Sequence, residues 1–131
     1  VLAQGKPTDP QIAHIAYTAG TIDIDAAKQA LDLCKKVGVT PEDNDTSKSL
    51  AAAAKAKRDE LAKMSGAAFD KAYIENEVAY HKTVNGALET TLIPSAQNAQ
   101  LKSLLQTGLK IFQGHEQHAE MAASMVKSSA R

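Results

Sequence analysis

"LKSLLQTGLKIFQGHEQHAEMAASMV", residues 101–126, decides how this chain folds. Leu101, Leu104, Leu105, Gly108, Ile111, Phe112, His115, His118, Ala119, Ala122, Met125 and Val126 recur at intervals of three and four. That spacing lines one face of an α-helix and predicts a helix from about Asn98 to Lys127. Two places on the face belong to histidines rather than leucines or methionines. His115 and His118 are three apart, so they share the apolar side.

Upstream, Pro94 and the polar residues after it separate this helix from another, expected from about Ala67 to Leu92, because proline disfavours helix at the residue before it. Its stripe is Phe69, Tyr73, Glu77, Tyr80, Val84 and Leu88, with Ile74, Val78 and His81 alongside. Ser65-Gly66 ends a preceding helix over about Ser47–Met64, whose weak stripe (Leu50, Ala54, Lys57, Leu61, Met64) predicts a surface element. "NDTSKS", residues 44–49, reads as polar loop. Thr40-Pro41-Glu42-Asp43 reads as a helix start or capped turn.

The first helix opens at Asp9-Pro10, an N-cap followed by proline at the first helical position, and stops at Gly38. Between them Ile12, Ala16, Ala19, Asp23, Ala26, Ala30, Leu33 and Val37 make one face, with a carboxylate in its middle. The three long helices are each about 40 Å at 1.5 Å per residue. Short connections between matched helices predict a single all-α domain over residues 1–131, an antiparallel helical bundle with one shorter surface helix.

Composition agrees. The 131 residues carry 15 basic and 15 acidic side chains and 24 alanines, and no tryptophan. Alanine favours closely packed helices. Zero net charge without a basic cluster excludes nucleic acid as a partner, since phosphate binding needs concentrated Lys and Arg. No apolar run reaches the roughly 20 residues of a membrane-spanning segment. Cys34, the single cysteine, reads as a small helix residue inside the core. Val1 and Ala3 fit the small-residue pattern before a signal-peptidase cut, an expectation of export.

The inward polar residues carry the functional reading. Asp23, Glu77, His81, His115 and His118 come from three helices and lie on or beside their apolar faces. A carboxylate in a core is costly unless it is paired or coordinates a cation. Carboxylates and imidazoles projecting from facing helices are how bundle cores hold iron, zinc, copper or manganese. Singly, each residue is as well explained by a hydrogen bond, with Asp23 accepting from Tyr73 or Tyr80. Together they favour a transition-metal site. Paired Glu-x-x-His repeats of two-iron sites are absent, and "HEQH" is His-x-x-His, so a single-metal or adapted site is the better expectation. No phosphate loop, nucleophile elbow or Cys-x-x-Cys pair supports covalent or redox-thiol catalysis.

"GAAFDKAYIENEVAYHKTV" (66–84), "TLIPSAQNAQLKSLL" (91–105) and "FQGHEQHAEM" (112–121) resemble a family of bacterial secreted proteins catalogued as domain of unknown function, number 4142, and described as ferritin-like. "DPQIAHIAYTAGTIDIDAAKQA" (9–30) and "VGVTPEDN" (37–44) are similar to the same family's opening helix and mid-chain loop. Phe69, Asp70, Tyr73 and His81 match its most specific block, and its late-helix histidine falls on His115. The resemblance implies an exported, periplasmic or secreted, ferritin-like bundle with a metal-binding core and no settled activity.

One departure stands out. Family members usually carry a further helix with a Met-x-x-Asp-His pattern where "KQALDLCKKVGV" here runs straight on. Either that helix has been lost, or a stretch near Asp32–Leu33 is missing from the chain. A lost wall would expose an apolar stripe, to be filled by the Ser47–Met64 helix or by a second subunit in a homo-oligomer. The leading functional expectation is metal storage, sequestration or stress protection. The rivals are a metal-free envelope interaction or stress module with a hydrogen-bonded polar core, and a ferroxidase-like or peroxide-scavenging redox enzyme.

Overall fold

The structure, a computed structural model, describes residues 25, 28–29, 31–42 and 44–129. Asp9, Pro10 and Asp23 lie outside the described residues. Every regular element among those described is helical, as the sequence predicts. The chain divides into two compact units, Val1–Thr40 and Pro41–Arg131.

In the first unit, residues 31–36 are helical and run through Asp32 and Leu33 without interruption. Gly38, at φ +72°, ends them. Its N–H donates to Lys35 O (3.3 Å) and the Val39 N–H to Cys34 O (2.9 Å), the paired bonds of a Schellman cap. A side chain at Gly38 would have to adopt the left-handed backbone that glycine takes at no steric cost. Cys34 is half-buried rather than enclosed.

The second unit starts earlier than the polarity of "NDTSKS" suggests. Helix α1 spans Asp45–Leu61, and Asn44 is its N-cap. The Asn44 side chain accepts from the Ser47 N–H (2.9 Å), while the Ser47 hydroxyl accepts from the Asn44 N–H (3.0 Å). Asn44 and Ser47 cap the helix and Asp45 places an acid in its first turn, so the polar stretch is a helix start rather than a loop. Lys55–Asp59 (2.7 Å) and Lys57–Glu60 (2.6 Å) pair along its outer surface. Leu61 is buried where α1 turns into α2, and the rest of α1 is largely exposed, as its weak stripe predicts.

Helix α2 spans Gly66–Ala87. Pro94 does not end it at Leu92. Residues Leu88–Leu92 form a π-helical turn, closed by the Ile93 N–H donating to Leu88 O, and the helix continues through Ile93–Ser95. A proline inside a helix lacks its N–H and crowds the carbonyl four residues back, here that of Thr90. Widening the turn by one residue accommodates both effects. Ala96, in extended conformation, then breaks the helix. Helix α3 spans Ala99–Ser129, with the Asn98 side chain accepting from the N–H groups of Gln100 and Leu101, each at 3.0 Å.

α2 and α3 pack antiparallel, as the cross-helix bonds require: Lys82 meets Glu120, Asn85 meets Glu116 and Glu89 meets Gln113. Only Leu61, His81, Asn85 and Leu88 are buried among the described residues. The inner face of α2 follows the expected stripe through Leu88 with His81 alongside, except that Asn85 is buried on it and Tyr80 is not. Tyr80 itself is 53% exposed. Among the described residues no helix is long and apolar enough to cross a membrane.

Candidate metal centre

His81 lies near the middle of α2, in a run of 22 residues that holds it against α3. It is 6% exposed. Its Nδ1 lies 2.8 Å from the Glu77 carbonyl oxygen. A carbonyl can only accept, so Nδ1 carries the proton and donates. The neutral ring then keeps its free lone pair on Nε2. A backbone carbonyl holding one ring nitrogen so that the other can ligate is the usual support of a metal-binding histidine. The Glu77 carboxylate stands 3.9 Å from the same Nδ1, too far for a hydrogen bond.

Across the helix pair, the His115 ring faces His81 with centroids 5.7 Å apart and planes at 76°. Phe112, one turn before His115, packs edge-on to His81 at 6.4 Å and beside His115 at 6.1 Å, so the three rings form a cluster. Two imidazoles sharing a tetrahedral ion, with metal–nitrogen bonds of about 2.0 Å, have centroids roughly 5 Å apart.

The sequence-derived set is thus gathered unevenly. His81 and His115 come together, with Glu77 beside them. His118 is exposed, on an edge of α3 shared with the exposed Ile111 and Met125, each seven residues away. Asp23 is outside the described residues. Among the described residues no three His, Cys, Asp or Glu side chains are placed to hold a metal ion. The fit is of two nitrogens, half of a tetrahedral site.

Asn85 was not singled out by the sequence, yet it is as buried as Leu88. Its Nδ2 donates to Glu116 Oε2 at 2.7 Å. The signal was present: Asn85 is four residues after His81 and eight after Glu77, on their face of the helix. Beside it Lys82 Nζ donates to Glu120 Oε1 at 2.7 Å. That hydrogen bond, with the charge of Glu120, raises the Lys82 amine above its ordinary range; desolvation opposes the shift and Glu116 adds to it.

The family described as Domain of unknown function (DUF4142) matches residues 32–122, more than half of the 131-residue chain. The chain belongs to this family. Glu77, His81, Asn85, His115 and His118 all fall inside the DUF4142 span, and the match begins at Asp32, where the missing-helix departure was located. The similarity read in residues 9–30 falls outside that span. No curated protein and no solved structure matches the chain.

Proposed function

We propose that this DUF4142 protein binds a transition-metal ion between α2 and α3, with His81 and His115 as its nitrogen ligands. The single observation that carries the reading is the His81 Nδ1–H bond to Glu77 O, which in the neutral ring puts the lone pair on Nε2, with a second imidazole alongside. Glu77, beside His81, is the side chain offered for a further position. Mixed nitrogen and oxygen ligands suit iron, zinc, copper or manganese. The wider setting of this reading is a ferritin-like antiparallel bundle forming one domain, exported to the periplasm or secreted, and serving metal storage, sequestration or stress protection.

Elemental content tests it: protein isolated without an affinity tag is desalted exhaustively, then assayed by mass spectrometry before and after dialysis against zinc or ferrous iron. Near-stoichiometric metal in the native chain, lost in H81A/H115A with helicity retained, supports the site. Metal-free protein that takes up none sinks it.

A second reading has its own observation. The two buried polar side chains of α2 also find bonds without metal, His81 to Glu77 O and Asn85 Nδ2 to Glu116. In that case H81Q, which keeps a donor, retains stability while H81A loses it, and neither changes metal content.

A further inference from the structure

We infer that the solvent side of α3 carries a soft-metal site, distinct from the histidine pair, in which His118, Met121 and Met125 take a monovalent copper or silver ion. The three residues stand at intervals of three and four on one uninterrupted helix. At 100° per residue they fall within an arc of about 60°, so they share a single strip.

The packing of the helix pair does not account for them. Met121 is 52% and Met125 48% exposed, and His118 is exposed beside them. His118 makes no hydrogen bond, ion pair or ring contact among the described residues, so its ring is free to turn toward the sulfurs. The chain has three methionines, and the third, Met64, is half-buried after the end of α1. Two of the three thioethers therefore stand four residues apart in solvent, next to an uncommitted imidazole.

What surrounds the strip sets the kind of ion. No Asp or Glu belongs to it. Glu116 and Glu120 are on the side of α3 that meets α2, bonded to Asn85 and Lys82. The hydroxyls of Ser124, Ser128 and Ser129 are turned back onto the helix, donating to the carbonyl oxygens of Met121 and Met125. One imidazole and two thioethers form a soft, uncharged donor set. It suits Cu(I) and its analogue Ag(I), and it offers a doubly charged ion no compensating carboxylate.

Reach agrees with this assignment. Residues three and four apart on a helix have Cβ atoms about 5–6 Å apart. Long side chains lean toward the helix N-terminus, so each methionine covers the turn before it, on the side of His118. With metal bonds of roughly 2.0–2.3 Å, an ion above Met121 is within reach of the ring on one side and the second sulfur on the other.

The test is titration of the full chain with Ag⁺ in chloride-free buffer, followed by NMR of the methionine ε-methyl groups. Cys34→Ser is carried throughout, so that the single thiol does not compete. An equimolar amount of silver is expected to shift the methyls of Met121 and Met125 and to leave that of Met64 in place, whereas Zn²⁺ should move none of them. M121L/M125L keeps the apolar volume of the strip and should retain helicity. It should weaken silver binding by about tenfold or more, and H118Q by a smaller factor. Methyls that do not move, a shift of all three alike, or an affinity unchanged in M121L/M125L overturns the site. So does self-association of the metal-free chain that covers both methyls, which would make the strip an interface between copies. The methyl readout does not involve His81 or His115, so failure of the metal centre between the helices and failure of this site are told apart.

Discussion

In α1 the capping box and both ion pairs join residues three or four apart, whereas the polar bonds that tie α3 to the helix before it join residues 24, 31 and 38 apart. Local bonds hold a helix whether or not anything packs on it. A helix of 17 residues held mostly by such bonds is marginal, because nucleation is costly and most helical stability comes from packing. The α2–α3 pair has the opposite character: its bonds form only when two distant stretches meet, and its buried middle contains a histidine and an asparagine. Opening such an interior strands polar groups, so the pair should open as a unit. Hydrogen exchange makes the contrast measurable. Amides of α1 are expected to exchange well before those around His81–Leu88, and equal protection would erase the distinction.

Mutations sharpen it, beginning with the largest effect. His81→Ala removes a buried ring and its bond to Glu77 O, and should cost about 2 kcal/mol in urea denaturation, with loss of protection on both α2 and α3. Asn85→Ala strands the Glu116 carboxylate on the inner side and should cost about 1–2 kcal/mol, again across both helices. Asn44→Ala should cost about 1 kcal/mol of helix stability. Its effect should stay within α1, and loss of protection in α3 as well would show that the two regions are coupled. Lys82→Met should be smaller still, and the difference should vanish at high salt, because the pair with Glu120 is exposed and screened. The raised Lys82 amine gives this last contribution a sign in pH. It is fully present below the ordinary lysine range and is lost as pH rises through the raised value.

What the sequence made legible follows the same division. α3 was expected within two residues at each end, because a sustained apolar stripe and a capping asparagine agree. Gly38 stopped its helix for the reason expected. α1 was begun too late because capping side chains and loop side chains are the same residue types. On α2 the stripe through Leu88 with His81 alongside is the packed face, and the departures are an exposed Tyr80 and a buried Asn85, since an aromatic residue reads as inward and an asparagine does not. His118 shows the matching error on α3: three residues from His115 is close enough to share a face in projection, yet far enough round to reach solvent. Periodicity finds the face of a helix, while the side chain at its centre is chosen by what the partner helix presents. Glu116 could not be paired with Asn85 from spacing within either helix.

The π turn at Leu88–Leu92 has one more consequence. An α-helix advances 100° per residue, so one additional residue in a turn puts everything beyond it out of phase by about that angle. The stretch through Pro94 therefore presents different side chains from those an unbroken count from Phe69 would assign, and Leu92 stands in solvent four residues after the buried Leu88. Deleting one residue within 88–92 would act less as a shortening than as a twist. It would turn the Pro94 rim against a rung ladder, Lys82–Glu120 to Glu89–Gln113, whose register is fixed on the other side.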